Sequence, residues 1–272
     1  MWYQRISNTK YIDVATQKEL RDPAQLERIR EMHIPPAYTN VMISKSPRSK
    51  VQAFGYDSKG RKQIIYARWF VNKQAKKKFE RIIHMDMVMP SVIQHVIAGL
   101  DKGDQNAMVM YLMIECGFRV GNDRYASRNS SYGLTTLQLR HVTLDKGRVL
   151  FDFIGKKNIR NQGESKNPII YAYVKRRLGA GLSKTELLFP NVTSHTVNQF
   201  LRSIYSNITS KDIRTWNANH MFLHHIMQHH IDVKDAVSIV ARHLHHTPAV
   251  CKSSYLHPEF LQFAVMYTAH NI

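Results

Sequence analysis

Cysteine is scarce in this chain of 272 residues: Cys116 and Cys251 stand 135 positions apart in no CxxC spacing. That excludes a disulfide scaffold and a zinc ribbon, and it fits a reducing compartment. Acidic residues are also few, 20 Asp plus Glu against 39 Lys plus Arg. No apolar core of signal-peptide length opens the sequence, and no later run approaches the ~18 to 20 apolar residues of a transmembrane helix. The GxxxxGK[ST] loop is missing, as are the HExxH pattern and any evident carboxylate cluster for a pair of magnesium ions. Those absences argue against a nucleotide-driven enzyme and a zinc hydrolase.

What is present is a 43% apolar content, enough for a buried core, and a formal net charge of +19. Such a surplus calls for a polyanionic partner, and nucleic acid is the first expectation. The positive charge is scattered, with short clusters at residues 73–78 and 175–177 and no basic tail. A folded surface laid on DNA or RNA fits that distribution better than a membrane surface does. Residues 41–70 mix β-branched and aromatic residues with turn punctuation, predicting a small β-rich domain over 1–75. Residues 72–83 read as a helix, "PSVIQHVIAGL" and "NAMVMYLMIECGF" as two buried helices. A mainly helical domain is therefore expected over 76–272. It is interrupted by a hairpin in which residues 142–144 and 149–154 flank Asp-Lys-Gly, with "NPIIYAYV" as a third strand.

Four basic positions stand out by context: Arg119 in "GFRVGN", Lys156 in "FDFIGKK", Arg214 in "KDIRTW" and His246 in "HTPAVCKSSYLHP". Converging on one phosphate, they would hold its non-bridging oxygens and stabilise an oxygen-rich transition state. Tyr255, nine positions after His246, would supply a nucleophile. A phenol of pKa about 10 leaves more readily than a sugar hydroxyl when the linkage is reversed. Singly, each has an ordinary reading: Arg119 as a helix-end cation, Lys156 as hairpin decoration, Arg214 as the partner of a neighbouring acid, Tyr255 as a core aromatic.

Taken in order, these residues resemble the type IB DNA topoisomerases, in particular their small poxvirus-like, bacterial and giant-virus group. The likeness runs from "YDSKGRKQ" (56–63) through "RVGNDRYASRNSSYGLTTLQLRHV" (119–142), "FDFIGKK" (151–157) and "KDIRTW" (211–216) to "HTPAVCKSSYLHP" (246–258). It implies an α+β fold: an N-terminal β-rich domain and a larger helical catalytic domain of the tyrosine recombinase/type IB topoisomerase kind, acting as a monomeric clamp on double-stranded DNA. It further implies that Tyr255 attacks the scissile phosphodiester to give a 3′-phosphotyrosyl bond. Arg119, Arg214 and His246 would contact the non-bridging oxygens, and Lys156, aided by Arg119, would protonate the departing 5′ oxygen. Strand rotation before religation would relax supercoils of either sign, with no cofactor and no metal. Lys157 directly follows Lys156, whose assignment rests on its place after Gly155.

Residues of the DNA-reading positions are Arg61, Gln63, Tyr66, Asn122 and Tyr125. Asn122 replaces a lysine and Ile64 a tyrosine of the poxvirus enzymes, so strict sequence preference is not expected. The resemblance also implies an intracellular enzyme of a large DNA virus or a bacterium. A tyrosine recombinase would share the chemistry, but recombinases usually carry HxxR where this chain has "KDIR" (Lys211). A non-catalytic DNA-binding relative would lack one of the five positions. The histidines 224, 225, 229, 230, 243, 245 and 246 are crowded, and His225 with His229 has a zinc-compatible i, i+4 spacing. A solvated or DNA-facing role is expected for them instead.

Overall fold

The computed structural model describes residues 1–123, 126–127 and 130–271. The chain divides into two compact units, Met1–Lys78 and Phe79–Ile272.

The first unit is built on a five-stranded antiparallel sheet. Its strands are β1 (Trp2–Arg5), β2 (Tyr11–Asp13), β3 (Thr39–Ser44), β4 (Val51–Tyr56) and β5 (Lys62–Tyr66), in the order β2-β1-β3-β4-β5. Helix α1 (Pro23–Glu31) starts where the Asp22 carboxylate accepts the Ala24 N–H at 2.9 Å and Pro23 fills the first turn. Alternation in the strands turns Val41, Ile43 and Ala53 onto Ile29 of α1 and Tyr11. The sheet thus begins at residue 2, well before the β-rich stretch that composition singles out. In the β4–β5 turn the Asp57 carboxylate accepts from the Lys59 and Arg61 N–H groups, the Arg61 Nε and the Gln63 Nε2. The "DSKGRKQ" motif is a turn wound round one carboxylate.

Helix α2 (Arg68–Asp101) crosses the division between the units without a break. This corrects the expectation of separate helices: Pro90 lies in its interior rather than near a start. By length and composition alone it is also long and apolar enough to cross a membrane, which the sequence reading did not anticipate. Its apolar stripe Ile82, Met85, Met89, Val92, Val96 and Leu100 instead joins the core of the second unit.

That core is completed by α3 (Gln105–Glu115), α4 (Pro168–Gly179), α5 (Ser194–Ile204) and the first turns of α6 (Ser210–His229), together with a three-stranded sheet. The sheet pairs β6 (Val142–Asp145), β7 (Arg148–Ile154) and β8 (Arg160–Ser165) antiparallel in that order. The third strand is therefore residues 160–165, and "NPIIYAYV" is helical. Asn167 accepts from the Ile169 and Ile170 N–H groups and Pro168 occupies the first turn, so Ile170, Tyr173 and Val174 are buried at helical spacing. A second core cluster joins the rest of α6 to α7 (Val233–His243), α8 (Pro248–Ser254) and α9 (Pro258–Asn271).

Candidate active site

Each candidate catalytic residue is placed by a local feature of its own segment. Arg119 follows α3 across Gly117, whose φ is +64° and where an added Cβ would stand 2.4 Å from the His243 carbonyl. A side chain there would push the Arg119 segment off α7. The same segment is anchored on its other side, with Arg119 and Val120 carbonyls accepting from the Leu134 and Thr135 N–H groups at 2.9 and 2.7 Å. Lys156 follows Gly155 at the end of β7. The loop closes by the Gly155 N–H to the Ile159 carbonyl at 2.7 Å, while Lys157 and Asn158 take left-handed φ of 63° and 60°.

Arg214 sits one turn inside α6. The Asp212 carboxylate does not pair with it: Asp212 accepts from the Thr209 N–H and hydroxyl at 3.1 and 2.6 Å and faces Arg81 at 3.6 Å. Arg214 is 4% exposed and donates to two carbonyls, Gly117 O and, at 2.8 Å, Leu244 O, while its Nε has no partner. Among the described residues no carboxylate lies within ion-pair distance of it. Burial, then the Arg119 charge, lowers its pKa to about 10, so it stays cationic at neutral pH.

Thr247 and Pro248 start α8 as their residue types require. The Thr247 hydroxyl accepts the Val250 N–H at 3.3 Å and Pro248 fills the first turn. The helix ends at Tyr255, whose N–H bonds Cys251 O at 3.0 Å. Asn219 of α6, 2% exposed, grips the chain there: its Nδ2 donates to Tyr255 O at 2.9 Å and its Oδ1 accepts the His257 N–H at 2.7 Å.

Arg119, Asn122, Lys156, Lys211, Arg214 and Tyr255 line one cavity of about 280 Å³. Lys157 is not among its lining residues. His246 stacks on the Tyr255 ring at 4.7 Å and 24°, and the Arg214 guanidinium carbon stands 5.6 Å from the centre of that ring. Burial raises the Tyr255 pKa, but the Arg214 and Arg119 charges outweigh it, and the phenol is more acidic than usual. His246 is held neutral, its pKa lowered to about 4 by burial and then by Arg214, and its Nε2 is buried without a partner. Two guanidiniums, a lysine and an acidified phenol line one small cavity, with a neutral imidazole stacked on the phenol, a set of donors chemically suited to an oxyanion such as a phosphoryl group.

The DNA-reading candidates divide. Asn122 lines the cavity, and Tyr125 lies outside the described residues. The other three belong to the first unit: Arg61 and Gln63 both bond Asp57, whereas Tyr66, 40% exposed, packs on Phe70 at 5.3 Å. Strand alternation puts Ile64 and Tyr66 on one face of β5 and Gln63 on the other.

The histidines also divide. His243 and His245 are not the solvated or DNA-facing residues expected. His245 stacks on Phe118 at 5.1 Å and its Nε2 bonds the Cys116 carbonyl at 3.0 Å, so it braces the approach to Arg119. The rings of His224 and His225 each lie 5.0 to 5.5 Å from that of His229, yet among the described residues no group of three His, Cys, Asp or Glu is arranged to hold a metal ion. Sequence reasoning used Lys211 only to separate families and passed over Asn219, whose partners are 36 and 38 positions away.

The family described as eukaryotic DNA topoisomerase I, catalytic core, matches residues 59–265, and that described as bacterial DNA topoisomerase IB, N-terminal domain, matches residues 10–57. DNA topoisomerase 1B of Acanthamoeba polyphaga mimivirus is 29% identical over 259 residues, 85% of this chain and 77% of the relative. The enzyme of that name from Vaccinia virus (strain Copenhagen) is 21% identical over 266 residues, 89% and 82% of the two chains. DNA topoisomerase 1 of Schizosaccharomyces pombe is 30% identical over 118 residues, 43% of this chain and 14% of its own.

Proposed function

The chain belongs to the type IB DNA topoisomerases, and from that premise we propose that the cavity around Tyr255 is where it cuts and rejoins one DNA strand. As a member of the family it is an isomerase that relaxes supercoiled DNA; a site-specific recombinase is not the reading favoured. The Tyr255 phenol, acidified by Arg214 and Arg119, gives its proton to solvent and its oxygen attacks the scissile phosphorus, so that a 3′-phosphotyrosyl bond forms and the bond to the 5′ oxygen breaks. Arg119 and Arg214 hold the non-bridging oxygens. Lys156, which lines the same cavity, gives its proton to the departing 5′ oxygen. Religation is the reverse: the 5′ hydroxyl attacks, returns the proton to Lys156 and expels the phenolate. The phosphodiester energy is stored in the covalent link, so the cycle uses neither ATP nor a metal.

The observation that carries this reading is the buried, carboxylate-free Arg214 facing the Tyr255 ring. Burying a cation without an acid is costly, and such a cost is expected where an anionic ligand completes the pair. The unpartnered His246 Nε2 has the same logic. A phosphate oxygen placed there draws a proton onto the ring and raises its pKa from the free-enzyme value of about 4.

The wider assignment follows the same lines. The catalytic unit takes the tyrosine recombinase/type IB fold, and the N-terminal domain, about residues 1–75, closes with it as a monomeric clamp on duplex DNA. Arg61, Gln63 and Tyr66 meet DNA from the N-terminal side, Asn122 and Tyr125 from the catalytic side. The test is covalent capture. A duplex incubated with the protein and quenched in detergent should yield an adduct whose DNA-bearing peptide contains Tyr255, with a free 5′ hydroxyl at the nick. An adduct on another residue, or a 5′-linked one, would contradict the assignment.

A further inference from the structure

Beside the catalytic cavity stands a pair of side chains that the cleavage chemistry leaves unused. Tyr132 lines the cavity with Lys156 and Tyr255. Its N–H bonds the Ile154 carbonyl at 2.9 Å, two positions before Lys156, which ties this segment to the base of the lysine loop. Its ring lies against His141 at 4.5 Å and its hydroxyl accepts from Arg140 Nη2 at 2.9 Å.

Arg140 is fixed by its backbone. It belongs to the 3-10 turn Leu139–His141, where the Leu139 and Arg140 N–H groups bond the Glu186 and Lys184 carbonyls, each at 2.9 Å. The turn turns Arg140 outward, where it is exposed. Among the described residues no acid lies within ion-pair distance of it. The ring behind it adds no competing charge, because His141 is held neutral with a pKa of about 4, by burial first and by Arg140 next.

A guanidinium whose reach is set by a tyrosine hydroxyl is a prepared donor pair. Having accepted from Arg140, the hydroxyl still has its own proton to donate, and the guanidinium keeps further N–H groups. Tyr132 lines the cavity with Lys156 and Tyr255, Arg140 reaches it through the Tyr132 hydroxyl, and neither is required for proton transfer or attack. We propose that Tyr132 and Arg140 form a second phosphate subsite, which grips a non-scissile backbone phosphate of the DNA and fixes the strand's register over Tyr255. The ligand is a phosphodiester read for its charge and oxygens, with no base contact. This rests on the reading of the cavity as the cleavage site.

The test measures non-covalent binding to one duplex in the Tyr255→Phe background, with and without Arg140→Ala or Tyr132→Phe. Loss of one phosphate contact should flatten the slope of log K against log salt by about 0.9 with Arg140→Ala. A scan of single neutral methylphosphonates should find one non-scissile position that weakens the parent and has no further effect on the Arg140→Ala protein. Tyr132→Phe should lie between the two. An unchanged salt slope, or methylphosphonates that weaken both proteins alike at every position, would overturn the subsite. Absence of a covalent adduct with the Tyr255 protein on the same duplex would instead overturn the cleavage-site reading, whatever the salt slope shows.

Discussion

Tyr255 answers to two descriptions at once: it packs in the second core cluster, and its hydroxyl lies among cations. An aromatic on an amphipathic segment is by default a core residue, and no spacing rule distinguishes a nucleophile from one. What singles it out as a candidate is the ordered company of Arg119, Lys156, Arg214 and His246. Lys156 was preferred to Lys157 in the sequence for its place after Gly155; Lys156 lines the cavity, while Lys157 takes a left-handed φ of 63° that no sequence pattern announces. Nor was the isolation of Arg214 legible, since Asp212 two positions before it is taken by Thr209 and Arg81. Arg214→Lys keeps a positive charge but loses the fork that donates to two carbonyls and keeps a further face for a ligand. Single-turnover cleavage should fall by about 10²-fold or more, as for removal of an oxyanion donor, while DNA binding changes little. Equal rates for the two proteins would mean that Arg214 acts as a point charge only.

At the scale of the element, α6 is the part on which the site depends. It carries Lys211 and Arg214 on its first turns, and two turns on Asn219 clamps the end of α8 on either side of Leu256. Asn219→Ala leaves the Tyr255 carbonyl and the His257 N–H without that partner. It should cost about 2 kcal/mol of stability, the scale of a buried polar group left unpaired, and slow cleavage more than it weakens DNA binding. Urea unfolding with single-turnover kinetics checks both, and a loss of stability with normal cleavage would make Asn219 purely structural. Element types were readable where local chemistry was strong: the β6–β7 hairpin at Asp-Lys-Gly and the helix start at Thr247-Pro248. They were misread where two signals competed. "NPIIYAYV" has strand-like residues, but the Asn-Pro start and the 3.6-residue burial period win. Pro90 resembled a helix start, but packing of the stripe on both sides of it keeps α2 continuous.

For the whole molecule, the net charge of +19 was the most readable feature and the least specific. It implies DNA affinity that falls steeply with salt, which filter binding or fluorescence anisotropy at several salt concentrations would show. The buried histidines add a pH signature. His141, His245 and His246 each have a folded pKa of about 4, below the ordinary 6.5, with burial the first cause. Between those values the unfolded chain binds more protons than the folded one, so stability should fall as pH falls from about 6.5 to 4. Urea midpoints at pH 7 and pH 5 should show the lower value at pH 5, and equal or reversed midpoints would contradict that burial.

The central claim is that Tyr255 in this cavity nicks and reseals DNA to relax it, and plasmid relaxation tests it most directly. Positively and negatively supercoiled plasmids are each incubated, in EDTA and without ATP, with the protein or with Tyr255→Phe. The account predicts relaxation of both plasmids by the protein and of neither by Tyr255→Phe, whose ring still packs on His246. Failure of the protein to relax either plasmid, or relaxation by Tyr255→Phe, would contradict it.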